Sequence, residues 1–132
     1  MTIEVLTTLI MAHAAPGAVH PQELATAILQ ESSTQGVDAR LVARIMLQES
    51  RGKANAYNRR SRDRGLMQIN EKTAQGANIS SACLQNWRCN LRQGVKLLAK
   101  ANRPCAYNLG NAGSKKWPKS CIKYELKLAS FN

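Results

Sequence analysis

One carboxylate in this chain sits on a surface that ordinarily excludes carboxylates. Leu41, Val42, Ile45 and Met46 recur at helical spacing, and the next position on that stripe is Glu49. A carboxyl group on a core-facing stripe is costly to ionise, so its pKa is expected to rise. A raised carboxyl pKa suits a general acid working near neutral pH. The competing reading is an ion pair between Glu49 and one of the neighbouring arginines, Arg40, Arg44 or Arg51. Further on, Gly65-Leu66-Met67-Gln68-Ile69-Asn70 runs from apolar to amide at a turn, and is expected to bring the Gln68 amide near Glu49.

The elements around that acid read as helices. Pro21 suits a first helical turn, Leu24, Ala25, Ile28 and Leu29 form an apolar face, and Gly36 ends the helix. Asp38 is the expected N-cap of the Glu49 helix, over about 39–50. Residues 51–64 are irregular and basic, with Arg51, Lys53, Arg59, Arg60, Arg62 and Arg64 against Asp63. Such a lip beside a cleft attracts anionic polymer; solvated surface charge is the plainer reading. A helix over 90–103 is expected to face inward through Leu91, Val95 and Leu98, with Gly94 at a close helix–helix contact and Pro104 as its stop. A last helix over about 119–130 is read with Ile122, Leu126 and Ala129 inward, Tyr124 and Leu128 lying on the adjacent stripe.

Composition limits the alternatives. The 132 residues make one domain with room for a core, 44% of them hydrophobic and only 5% aromatic, which favours an α-rich fold. A net charge of +11 draws in polyanions, and on charge alone a nucleic-acid-binding module comes first. The four cysteines are not spaced as CxxC, and both histidines lie far upstream, so no metal site or cofactor is expected. The pairing Cys83–Cys89 with Cys105–Cys121 is preferred, and it implies an oxidising compartment, periplasmic or extracellular. Residues 1–20 contain an apolar run ending at Ala12-His13-Ala14, a candidate signal-peptide remnant, although Glu4 stands where a basic residue is usual. An ordinary N-terminal helix explains the run equally well.

Taken in order, several motifs resemble the lytic transglycosylases of the soluble type, which share the goose-type lysozyme fold. These are Glu49-Ser50 closing a helix, Ser61-x-Asp63-x-Gly65-Leu66-Met67-Gln68-Ile69-Asn70, Asn90-Leu91 with Gly94, Ala106-Tyr107-Asn108 with Gly110, and Tyr124 in the last helix. They span about residues 21–130, and the central motif is most similar to that of small members accompanying secretion and pilus systems. The resemblance implies a mainly α, lysozyme-like catalytic domain over 21–132 with a cleft for peptidoglycan strands. It implies a monomer with no nucleic-acid partner, serving a secretion or pilus apparatus.

The implied reaction cleaves the β-1,4 bond between N-acetylmuramic acid and N-acetylglucosamine. Glu49 would be its sole acid and base, and the product a 1,6-anhydro sugar. By the same resemblance Ser61, Gln68, Tyr107, Asn108 and Tyr124 line the sugar site, while Ser50 and Met67 support the acid and the cleft. The commonest family form has a serine where Asn58 stands, so its role passes to Ser61; Leu109 and Cys105 also depart from the usual pattern. A hydrolytic muramidase on the same fold, with Asp63 or Glu71 placing water, is the nearest alternative.

Overall fold

The computed structural model describes residues 1–101, 103–109 and 119–132. It is mainly helical, as expected, with one small sheet. The helices are α1 (Ile3–His13), α2 (Pro21–Gln35), α3 (Ala39–Ser50), α4 (Glu71–Gly76), α5 (Ser81–Gln85), α6 (Trp87–Lys100), α7 (Pro104–Leu109) and α8 (Lys119–Ala129). Between α3 and α4 run β1 (Tyr57–Asn58), β2 (Asp63–Arg64) and β3 (Ile69–Asn70), antiparallel in the order β1-β2-β3. Tyr57 pairs with Arg64, and Asp63 with Asn70. Among the described residues no helix is long and apolar enough to cross a membrane.

α3 is the central helix. It packs against α1, α2 and α8, and its Val42, Ala43, Ile45, Met46 and Leu47 are fully buried. Asp38 caps it as expected, accepting the Arg40 N–H at 3.0 Å, and Arg51 closes it in a left-handed conformation, φ 52°. The segment joining α1 to α2 then clasps this end: Ala15 and Val19 donate their N–H groups to the carbonyls of Arg51 and Gly52. Gly36 ends α2 with φ 68°, a conformation glycine adopts without a Cβ penalty. Residues 3–13 form a helix whose Leu6, Leu9 and Ile10 enter the same core as α2 and α3.

α6 faces inward through Leu91, Val95 and Leu98, as its periodicity requires. It begins at Trp87, three residues before the expected start at 90. The helix ends at Lys100, and Pro104 starts α7; proline suits a first helical turn as well as it ends a preceding one. Gly94 does mark a close approach, but the neighbour is the Met67 side chain and not a helix. A Cβ at position 94 would lie 2.6 Å from both Cβ and Cγ of Met67, atoms too near the backbone to swing away. Gly94→Ala is therefore expected to destabilise by about 1–3 kcal/mol despite alanine's better helix propensity, seen as a lower thermal midpoint.

The orientation of α8 differs from the sequence expectation. Ile122 and Leu126 are 57% and 67% exposed and Ala129 is exposed, while Cys121, Tyr124 and Leu128 are buried. Cys121 forms a disulfide with Cys105 of α7, and Tyr124 bonds to α3. These two anchors turn the helix away from its more aliphatic stripe. Both expected disulfides, Cys83–Cys89 and Cys105–Cys121, are present.

Candidate active site

Glu49 lies in the last turn of α3, partly withdrawn from solvent. Ser50 finishes that turn: its hydroxyl donates to the Met46 carbonyl at 3.3 Å and accepts the Gly52 N–H at 3.2 Å. This fixes the backbone immediately after the acid. From α8, the Tyr124 hydroxyl donates to Glu49 Oε2 at 2.8 Å. Burial, and then the negative charge of Glu49, push the Tyr124 phenol far above its ordinary range. Tyr124 therefore remains a protonated donor to this carboxylate. Removing it with Tyr124→Phe is expected to cost the fold about 1 kcal/mol, seen as a lower thermal midpoint.

Tyr107 of α7 stands nearby. Its hydroxyl donates to the Met67 carbonyl at 2.5 Å. Burial, followed by the charges of Glu49 and then Asp63, holds its phenol well above the ordinary range. One phenol thus feels both carboxylates. α7 and α8 are locked together beside it by the Cys105–Cys121 disulfide and by Glu125, which accepts from Arg103 Nε at 2.9 Å and from the Cys105 N–H at 3.1 Å. The guanidinium holds the Glu125 carboxyl below the usual range. Cys105, Cys121 and Glu125 are also close enough to serve as a ligand cluster, but both sulfurs are committed to the disulfide.

The Gly65–Asn70 segment is attached to α6 by one residue that received no role from the sequence. Asn90 is completely buried. Its Oδ1 accepts the Met67 N–H at 2.8 Å, and its Nδ2 donates to the carbonyls of Arg64 at 2.9 Å and Leu84 at 3.0 Å. Gly65 passes directly over this amide with φ +83°, and a Cβ there would fall 2.2 Å from Asn90 Nδ2. The available signal was a poor helix former one turn before Gly94, on the inward stripe of α6. Gln68, with φ 50°, turns its amide into the same scaffold: Nε2 donates to the carbonyls of Ala56 and Gly65, both at 3.0 Å.

The remaining candidates divide between hairpin and helix. Ser61 is exposed in the β1–β2 turn and donates to Asp63 Oδ2 at 2.7 Å; Asn70 Nδ2 donates to Asp63 Oδ1 at 3.1 Å. Glu71, the other acid considered for placing water, is paired with Arg64 at 3.2 Å. Met67 is buried between Gly94, Asn90 and Tyr107. The side chain of Asn108 lies outside the described residues, as do Gly110 and Trp117. The structure thus joins Tyr124 to Glu49 and Tyr107 to Met67 by hydrogen bonds, and uses Ser50 and Gln68 as braces.

Comparison with known proteins returns no match among curated proteins or solved structures. The family model described as "Transglycosylase SLT domain" matches residues 26–126, a span that runs from α2 through Glu49 and the two tyrosines into α8. With its mainly helical, lysozyme-like architecture, the chain belongs to the SLT transglycosylase domain family, whose members act on peptidoglycan.

Proposed function

We propose that this protein is a peptidoglycan lytic transglycosylase in which Glu49 is the only acid and base. The observation that carries this reading is the half-buried carboxylate of Glu49 with the Tyr124 hydroxyl on Oε2, in a chain of the SLT family. In the proposed reaction the protonated Glu49 donates to the glycosidic oxygen between N-acetylmuramic acid and N-acetylglucosamine. The substrate's own acetamido oxygen supports the cationic centre. Glu49, now a carboxylate, takes the proton from the muramoyl C6 hydroxyl, which closes on C1 to give the 1,6-anhydro sugar. No water is consumed, and one carboxylate serves both steps. The substrate places the enzyme on the wall side of the cytoplasmic membrane, periplasmic or secreted.

A hydrolytic reading is supported by a separate observation. Asp63 is held on both oxygens, by Ser61 and Asn70, and its charge reaches the tyrosine that also feels Glu49. A second carboxylate that places water beside the acid is what water-using glycosidases require. Muropeptides released from purified cell wall decide between the two. Anhydro ends are expected. Reducing ends, together with a loss on Asp63→Asn as deep as that on Glu49→Gln, would refute the lyase reading.

A further inference from the structure

The β1–β2 hairpin ends in Asn58-Arg59-Arg60-Ser61-Arg62-Asp63. Arg59, Arg60 and Arg62 are exposed, and none forms an ion pair among the described residues, whereas Arg64, Arg88, Arg92 and Arg103 all do. The tip carrying them is braced. Asn58 Oδ1 accepts the N–H groups of Arg60 at 3.0 Å and Ser61 at 3.2 Å, its carbonyl accepts that of Arg62 at 2.7 Å, and Asn70 Nδ2 holds the Ser61 carbonyl at 2.8 Å. Arg62 sits at φ 61°, a left-handed conformation that glycine or asparagine occupies with less strain. An arginine there costs backbone strain, and such outliers concentrate at functional positions. The base of the same hairpin is bonded to the segment that carries Met67, the partner of Tyr107: the Ala56 carbonyl accepts the Gly65 N–H at 2.7 Å and the Gln68 amide at 3.0 Å, and Asp63 accepts from Asn70 at 3.1 Å.

We propose that this tip is an anion-binding rim that grips ionised groups carried by the peptidoglycan strand lying in the cleft. Resting on the peptidoglycan assignment, it adds to that reading a preference for strands bearing carboxylate or phosphate. Two sources share this chemistry: carboxylates of the peptide stems and phosphodiester polymers attached to the wall. Guanidinium groups match both, by paired hydrogen bonds as well as by charge. Three exposed cations on a fixed tip contribute mainly attraction and register, so the effect is expected to weaken with salt.

Binding without turnover tests the rim, using full-length chains that also carry Glu49→Gln. Affinity for intact wall is measured at low and high salt, beside wall stripped of attached phosphodiester polymers, immobilised strands freed of peptide stems, and duplex DNA. Replacing Arg59, Arg60 and Arg62 together with Gln is expected to weaken binding to intact wall about tenfold at low salt, and far less at high salt. Arg62→Gly alone is expected to give part of that loss with a thermal midpoint unchanged or raised, which separates the charge from any effect on folding. Disappearance of the loss on stem-free strands assigns the rim to stem carboxylates; disappearance on polymer-stripped wall assigns it to phosphodiesters. Wild-type binding by the variants on every substrate overturns the proposal. So does an equal loss on strands lacking both anions, or a loss confined to DNA. Because no bond is cut, the outcome is independent of whether the released product is anhydro or reducing.

Discussion

Glu49→Gln is expected to reduce lysis of purified cell wall by about a hundredfold to ten-thousandfold, the usual contribution of a positioned acid and base. The substitution is nearly isosteric, and the Tyr124 hydroxyl can still donate to the amide oxygen at the position of Oε2. The fold should therefore persist, with the circular dichroism and thermal midpoint close to wild type. What disappears is the proton. An amide neither protonates the glycosidic oxygen nor removes a proton from the C6 hydroxyl, so both proposed steps fail together. Release of soluble muropeptides, followed in parallel with melting, separates this chemical loss from unfolding. A well-folded Glu49→Gln protein that still releases muropeptides at the wild-type rate would remove Glu49 from the reaction.

Asn90→Leu is expected to lower stability by about 3–5 kcal/mol, and the thermal midpoint by about 10 °C or more. Leucine repeats asparagine's branching at Cγ but satisfies none of its partners. The buried Met67 N–H and Leu84 carbonyl and the part-buried Arg64 carbonyl would lose their partner, each unmade bond costing about 1–3 kcal/mol. The consequence extends to the site, because Met67 also supplies the carbonyl that receives the Tyr107 hydroxyl. Wall lysis should fall even at temperatures where the variant is folded. Asn90→Asp discriminates this explanation from simple packing: it keeps the shape and the acceptor for Met67 but sets a carboxylate against two carbonyl oxygens, so it should be about as damaging. A mild Asn90→Asp phenotype would mean that the amide donors contribute little.

Parts of this architecture are legible along the chain because they are set by neighbours a few residues apart. The stripe Val42, Ile45, Met46 with Glu49 next in line, the Asp38 cap and the Gly36 stop all depend on helix geometry, and all appear in α2 and α3. The strands are not legible: β1, β2 and β3 have two residues each, too few for alternation to register. Asn90 is marked by its motif and by its place on the inward stripe of α6, but what it bonds is illegible, because its three partners, in Arg64, Met67 and Leu84, lie outside that helix.

The last helix states the division most clearly. Its sequence marks residues over about 119–130 as helical and offers two stripes for the interior, Ile122-Leu126-Ala129 and the adjacent Tyr124-Leu128. By apolar content alone the first is the better core face. The fold selects the second, because a covalent link from Cys121 to α7 and a hydrogen bond from Tyr124 to Glu49 fix the rotation of α8 about its axis. Local periodicity ranks the faces of a helix by transfer free energy. Partners brought from distant parts of the chain add energies that no window along the sequence contains, and here they decide which face closes over the acid.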